Sequence, residues 1–245
     1  MSHLRIVSHN AFWFQGAPFG TDRPGSPDQA ILAALVEAYH RLRPDVLALQ
    51  EIQDQATFER LAAALPTPGR YCPGGRLPQY GGAIFWSAGG FAADWRSSAE
   101  VPQRMWQMVN AHAGAGAVTI CNIHLPSSRQ LGREAAGRGR VRELLAVLDR
   151  ADAPAVVLGD FNESPGGPVG ASLAGRGYLD AAAATGLADR PTSLGGGRGD
   201  QIWIHGSLRE RLAEYGVMDK AQLRPARGEK QCLSDHFPLW VTLKA

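Results

Sequence analysis

Short apolar runs that break off into carboxylate, amide or imidazole groups recur along this chain, and they limit its fold more than any other feature. Leu4 to Val7 ends at Ser8-His9-Asn10, and Asp45 to Gln50 delivers Glu51. Val118 to Leu125 carries His124, and Ala155 to Leu158 ends at Gly159-Asp160-Phe161-Asn162. Gln201 to Ile204 follows Asp200, and Ser234-Asp235-His236 leads into Phe237 to Leu243. Runs of this length bounded by turn residues read as buried strands. A sheet-based core would gather their polar ends at one rim, where loops converge without sacrificing core packing. Grouped carboxylates, amides and imidazoles at one rim suit metal-assisted hydrolysis of phosphate esters.

Helix signals alternate with the strands. Ser26-Pro27-Asp28-Gln29 reads as a capping box with proline at the first helical position. Ile31, Leu32, Leu35, Val36 and Tyr39 then form an apolar stripe that must close before Pro44. Phe58, Leu61 and Leu65 suggest a second helix, and the Pro/Gly-rich segment Pro66 to Gly82 reads as a surface loop. Ala83 to Trp86 and Met105 to Asn110 are further strands, the latter forming a hairpin with Val118 to Leu125 through Gly114 and Gly116. Val141, Leu144, Leu145 and Leu148 share one face of a helix that must stop before Pro154. Gly195-Gly196-Gly197 reads as a mobile loop and lacks the lysine and spacing of a phosphate-binding P-loop. With 245 residues, no repeat and no dividing linker, one α/β domain over residues 1–245 is expected.

A composition of 44% hydrophobic and 20% charged residues excludes disordered, coiled and collagen-like chains. The net charge of +2 argues neither for nor against nucleic acid. Arg129, Arg133, Arg138, Arg140 and Arg142 offer a local anion-facing patch, but a plain solvated helix face is the preferred reading. Neither a leader-like start nor an apolar run of spanning length is present, so a soluble, cytoplasmic chain without membrane insertion is expected. Cys72, Cys121 and Cys232 lack paired spacing, which suggests neither a disulfide framework nor a zinc site. Cys121 reads as a core thiol. Cys232 reads as an ordinary loop residue, with pocket lining as the alternative.

Singly, each polar strand end has a bland reading as a turn, a cap or a satisfied core residue. Their joint order does not. Ser8-His9-Asn10, Leu49-Gln50-Glu51, Asn122-Ile123-His124-Leu125, Gly159-Asp160-Phe161-Asn162, Gly199-Asp200-Gln201-Ile202 and Ser234-Asp235-His236 together resemble the endonuclease/exonuclease/phosphatase superfamily over nearly the whole chain. That superfamily includes deoxyribonuclease I, AP endonucleases, neutral sphingomyelinases and inositol polyphosphate 5-phosphatases. The resemblance implies a deoxyribonuclease I-like α/β fold, a four-layer sandwich of two packed mixed β-sheets flanked by helices. It also implies a Mg²⁺ cofactor, with Mn²⁺ as substitute, held mainly by Glu51, with Asn10 and Asp235 completing its surroundings. Asp160 would orient and deprotonate a water, and Asn162 would hydrogen-bond the phosphate or that water. Asp200 would keep His236 protonated as a donor to the phosphoryl group. His124 would be a second donor or the leaving-group acid, although the upstream carboxylate partner found in deoxyribonuclease-like members is not identifiable here. Arg104, before an apolar strand, is a candidate phosphate contact.

The substrate is less constrained. Leu49-Gln50-Glu51-Ile52-Gln53 and Gly199-Asp200-Gln201-Ile202-Trp203 depart from the AP-endonuclease forms, Leu-Gln-Glu-Thr-Lys and an Arg-Ile-Asp-Tyr-like segment. Phe12-Trp13-Phe14, Trp86, Trp95 and Trp106 could stack bases or cover a lipid or sugar, but aromatic residues in strands are read first as core. The expected activity is metal-dependent hydrolysis of a phosphorylated small molecule or nucleotide by a monomer. A DNA- or RNA-cleaving nuclease is the alternative. A non-catalytic binding module is a third reading, which loss of Glu51, Asp160 or His236 would have favoured.

Overall fold

Apolar side chains are buried on both faces of the central strands, as expected where each sheet is covered on two sides. The computed structural model describes residues 3–87, 90–113, 116–150, 155–226 and 229–244. Gly114 and Pro154, used above to place a hairpin and a helix end, lie outside the described residues. The first sheet holds β1 (His3–Asn10), β2 (Val46–Ile52), β3 (Gly69–Cys72), β4 (Gly81–Trp86), β11 (Leu212–Val217) and β12 (Leu239–Lys244), in the order β11-β12-β1-β2-β4-β3. The second holds β5 (Phe91–Asp94), β6 (Met105–Ala113), β7 (Gly116–His124), β8 (Val156–Asp160), β9 (Tyr178–Asp180) and β10 (Asp200–His205), in the order β5-β6-β7-β8-β10-β9.

Each sheet is mixed, with one parallel pair, β1 with β2 and β7 with β8, among antiparallel neighbours. Parallel pairing requires a crossover. In the first sheet α1 (Gln29–Leu42) supplies it, and in the second α3 (Ser128–Leu131) and α4 (Arg133–Leu148) do. Residues alternate between two cores accordingly. Ile120, Val156, Leu158, Ile202 and Ile204 join the main core with Ile6 and Leu49. Cys121, Ile123, Val157 and Trp203 turn outward to meet Leu144, Val147 and Leu148 of α4 and Val169 and Leu173 of α5 (Pro168–Ala174). The expected four-layer sandwich is therefore present.

Register then builds the rim. Asn10 lies beside Gln50 across β1 and β2, while His124, Asp160 and Asp200 lie side by side across β7, β8 and β10. Met105 pairs with His124, which brings Arg104 to the same edge.

Several local expectations change. α1 is capped by Asp28, not Ser26: the Asp28 carboxylate accepts Ala30 N at 2.8 Å and Ile31 N at 3.1 Å, and Pro27 stands before the cap. A carboxylate at the helix start outcompetes a serine two residues earlier because the free N–H groups point at it. The helix end is as expected, with Arg43 at φ 48° just before Pro44. α2 (Gln55–Ala64) forms as expected, with Leu65 just past its end. The segment from Pro66 to Gly82 is not all loop, since it contains β3 and the first residues of β4. Pairing with β4 supplies what the local sequence does not. Cys72, Cys121 and Cys232 are free and buried. Gly195 to Gly197 belong to a turn closed by Thr192 N to Gly197 O at 2.9 Å and Gly196 N to Ser193 O at 3.1 Å.

The buried stripe of α4 also shifts, placing Arg140 and Glu143 inward while Val141 and Leu145 are half-buried. Arg140 donates to Pro126 O at 3.0 Å and pairs with Glu163 at 3.3 Å. Arg138 and Arg142 face solvent beside Glu134 and Glu100, the plain helix face expected. Glu143 accepts Gln103 N at 2.8 Å and so braces the residue before Arg104. Burial raises the Glu143 carboxyl to about 7. The folded state thus binds this proton more tightly than the unfolded chain, and stability falls as pH rises from the ordinary carboxyl range through about 7. Glu143→Gln keeps the acceptor and removes the buried charge. It should stabilise the protein by on the order of 1–3 kcal/mol at pH 8 and by little at pH 5. Thermal melts at both pH values check this, and an equal difference at both would contradict it.

Candidate active site

Backbone irregularities aim the side chains at the rim. Glu51 is an extra residue between the β2–β4 pairs Gln50–Gly82 and Ile52–Gly81, with φ at 59°. A bulge of this kind re-aims one side chain without ending the strand. Gly159 has φ at 132°, and a Cβ there would stand 1.9 Å from Ile123 O, so only glycine allows β8 to lie against β7 just before Asp160. Asn162, at φ 50°, folds back so that its N–H donates to Asp160 Oδ1 at 2.9 Å. Phe12, Trp13 and Phe14 form a left-handed turn with φ of 51°, 50° and 57°. Such geometry costs roughly 1–2 kcal/mol per residue. All three residues are buried, and burying an aromatic side chain returns roughly 1.5–3 kcal/mol.

These elements enclose a cleft of about 820 Å³. Of the predicted residues, Glu51, Arg104, Asp160, Asn162, Asp235 and His236 line it. Asn10, His124 and Asp200 lie directly behind them, at 0%, 0% and 1% exposure. Asn10 Nδ2 donates to Asp160 Oδ2 at 3.1 Å, and its Oδ1 accepts Phe12 N at 3.0 Å. Asn162 Nδ2 donates to Leu125 O at 3.0 Å.

Opposite charges are interleaved here. Burial alone would raise Asp160, but His124, His236 and Arg104 hold it well below the usual carboxylate range. Asp200 Oδ2 lies 2.8 Å from His236 Nδ1 and also accepts Thr192 Oγ1 at 3.1 Å. Burial works against charge on His236, yet Asp200, with Asp235 and Asp160, keeps its pKa well above the ordinary value. His236 is therefore an imidazolium at neutral pH, with Nε2 directed away from Asp200 and 3.7 Å from Asp235 Oδ1. Burial and the Arg104 charge push His124 down to about 4, so this imidazole is neutral. Arg104 Nη1 contacts His124 Nε2, and no described residue meets His124 Nδ1. The carboxylate nearest His124 is Asp160, at 3.3 Å. The positive charge on this side belongs to Arg104, whose guanidinium lies 4.1 Å from the Tyr80 ring centroid.

Buried hydrogen bonds fix the segment carrying Asp235 and His236. Ser234 Oγ donates to Asn10 O at 2.9 Å and accepts His236 N at 3.1 Å. His9 Nε2 lies 3.2 Å from His236 O, and His9 Nδ1 lies 2.7 Å from Tyr39 Oη on α1. Burial lowers the His9 pKa to about 3, so the ring is neutral and both contacts are met only if Nε2 carries the proton. Between the sheets, Gln50 Nε2 donates to Asn122 Oδ1 at 2.7 Å, and Asn122 Nδ2 donates to Leu49 O at 3.0 Å.

A cation suits this donor set. Glu51 Oε2, Asp235 Oδ1 and Asp200 Oδ1 are buried oxygens without a hydrogen-bond partner among the described residues. Burial lifts Glu51 to about 7, the behaviour of a carboxylate lacking its counter-charge. Asp160, Asp200 and His236 also offer ligand atoms within 4.8 Å of one another. In that group the Asp200–His236 hydrogen bond already explains the closeness, and burial still lifts Asp200 to about 6.

Phe12 and Trp13, read from sequence as core first and as possible stacking groups second, border the cleft, whereas Tyr80, Gln130 and Phe19 and the supports Thr192, His9 and Tyr39 were not singled out as site residues. His9 adjoins Asn10, a signal that could have marked it. Thr192 and Tyr80 carry none. Cys232 does not line the cleft; it is buried beneath Ala17, whose N–H donates to its carbonyl at 2.8 Å.

Comparison with known proteins agrees with this architecture. Solved structures of similar fold include Danio rerio TDP2 complexed with a single-strand DNA product, at 15% identity, TM-score 0.69 and 100% coverage of both chains. The human Nocturnin catalytic domain with bound sulfate matches at 19% identity and TM-score 0.65, over 98% of this chain and 93% of that one. A Bacteroides thetaiotaomicron mannosyl-6-phosphatase matches at 19% identity and TM-score 0.67, over 97% and 98%. A search of curated proteins found no sequence relative. The model of the Endonuclease/Exonuclease/phosphatase family matches residues 7–236, and the chain belongs to that family.

Proposed function

We propose that this protein is a Mg²⁺-dependent hydrolase of phosphate esters acting on a small phosphate compound. The observation that carries the proposal is the meeting of the partnerless Glu51 oxygen, the ionised Asp160 and the cationic Arg104 and His236 in one cleft. Glu51 and Asp235, with the remaining lone pair of Asn10 Oδ1, would hold the ion; Mn²⁺ would substitute. When bound, the ion supplies positive charge to a phosphate oxygen.

The chain's own groups do the rest. Asp160 orients a water for attack. Its depressed pKa makes it a weak base, so it takes the proton late, as the forming bond acidifies the water. Asn10 and the Asn162 N–H hold that carboxylate still. His236, kept charged by Asp200, donates from Nε2 to a phosphoryl oxygen, and Arg104 donates alongside. His124 Nε2 sits between Arg104 Nη1 and Asp160 Oδ2, and we read this buried, neutral imidazole as positioning both, in place of the leaving-group acid. Nuclease activity is the second reading, supported by Arg129, exposed at the cleft rim. Against it, the net charge is only +2, and Arg138, Arg142, Arg176 and Arg190 are each paired with a carboxylate.

Hydrolysis of bis-p-nitrophenyl or p-nitrophenyl phosphate should require Mg²⁺ or Mn²⁺ and stop in EDTA. Full turnover in metal-free buffer would contradict the proposal. Asp160→Ala and His236→Ala should each lower kcat about a hundredfold or more with folding intact. Near-normal kcat in either would mean that the site is wrongly assigned. Tyr39→Phe, which leaves His9 Nδ1 without its donor, should cost about 1–3 kcal/mol of stability. It should lower kcat only several-fold at unchanged KM, as expected for a group that positions His236. Finally, raising salt should weaken substrate affinity only shallowly, since few phosphates are engaged. Rapid plasmid nicking strongly inhibited by moderate salt would favour the nuclease.

A further inference from the structure

Half-buried Phe19 borders the cleft, with Phe12 and Trp13 packed behind it at only 9% and 3% exposure. Phe12 and Phe19 meet edge to face at 5.9 Å and 90°, Trp13 and Phe19 at 6.3 Å and 62°, and Trp13 and Tyr80 at 5.0 Å and 65°. The Trp13 indole N–H is anchored to Gln79 O at 2.7 Å, so that ring cannot turn. Phe19 is half-buried and rides on a tied-down strap, where Lys230 Nζ donates to Pro18 O at 2.6 Å and Ala17 N to Cys232 O at 2.8 Å. The ring cluster is also registered to the chemistry. Asn10 holds Phe12 N through Oδ1 and Asp160 through Nδ2, so one carboxamide fixes the rings relative to the carboxylate that would orient water.

The lining also includes Arg104, Ser127, Arg129 and Gln130, and Tyr80 joins this polar part to the rings, contacting Trp13, Arg104 and Gln130. The space beside the reacting phosphate is thus bordered both by an apolar ring and by hydrogen-bonding groups. The volume of about 820 Å³ admits a nucleotide-sized compound whole.

We propose that Phe19, held in place by Phe12 and Trp13, forms a subsite for a planar ring carried by the organic half of the phosphate ester. The inference rests on the phosphoesterase reading and adds the substrate class: esters bearing an aromatic or heteroaromatic ring. Stacking on aromatic side chains is worth roughly tenfold or more in affinity, so the subsite separates ring-bearing from purely aliphatic esters.

Calorimetry with phenylphosphonate and methylphosphonate in the presence of Mg²⁺ tests this without turnover. Phenylphosphonate should bind about tenfold more tightly or better. Phe19→Ala should remove most of that preference, with the loss falling on phenylphosphonate. Phe19→Leu, which keeps apolar bulk without a ring, should lose it as well. Equal affinities in the wild type, or a preference that survives both substitutions, would overturn the subsite alone. Failure of both phosphonates to bind would overturn the phosphoesterase reading and the subsite with it.

Discussion

Glu51, Asp160 and Asp200 are at most 5% exposed, and a carboxylate taken out of water costs several kcal/mol unless cations or N–H donors replace its hydration. How each one is compensated sets the layout of this end of the molecule. Asp160 is surrounded by His124, His236, Arg104, the Asn10 amide and the Asn162 N–H, and it stays ionised. Asp200 has His236 and Thr192. Glu51 has Arg104 and His124 only at 3.9 Å, too far to hydrogen-bond, and burial wins. Burial also lifts Asp200, to about 6 despite His236 and Thr192, so the shortfall of positive charge is felt at both Glu51 and Asp200.

Backbone strain is placed with the same economy. Glu51 and Asn162 adopt left-handed geometry where they line the cleft, as do Phe12 to Phe14 beside it. Residues forced into such conformations persist only where surrounding structure over-determines them. Here the overdetermination is visible: β-ladders flank the Glu51 bulge on both sides, two hydrogen bonds pin Asn162, and ring burial offsets the aromatic turn. Gly159 is the opposite device, since it removes a side chain so that β7 can close against β8.

The strand ends could be read from sequence because the relevant code is local: an apolar run buried on both faces, then a polar residue where burial stops. That code puts Asn10, Glu51, His124, Asp160, Asp200 and His236 at one rim. What could not be read depends on which strands become neighbours. Arg104 reaches His124 only through the Met105–His124 register. Tyr80 lies in a segment that reads as plain loop, and β3 forms only because β4 offers it an edge. The helix start was misplaced because Ser26 and Asp28 are both competent caps, and three-dimensional aim decides between them.

The same division explains why the chemistry was easier to read than the substrate. The cleft floor is assembled from strand termini whose positions follow from the hydrogen-bonded ladders, and a fold with those ladders can hardly place them elsewhere. The walls come from connections: the stretch from Asn10 to α1, the segment before β4, the turn at Ser193 to Gly197, and the start of α3. Such connections vary without disturbing either sheet. Proteins as different as a mannosyl-6-phosphatase and TDP2 can therefore share this architecture at 19% and 15% identity with the chain. Phe12, Trp13, Phe19, Arg129 and Gln130 line the cleft from such connections, outside the hydrogen-bonded ladders that fix its floor.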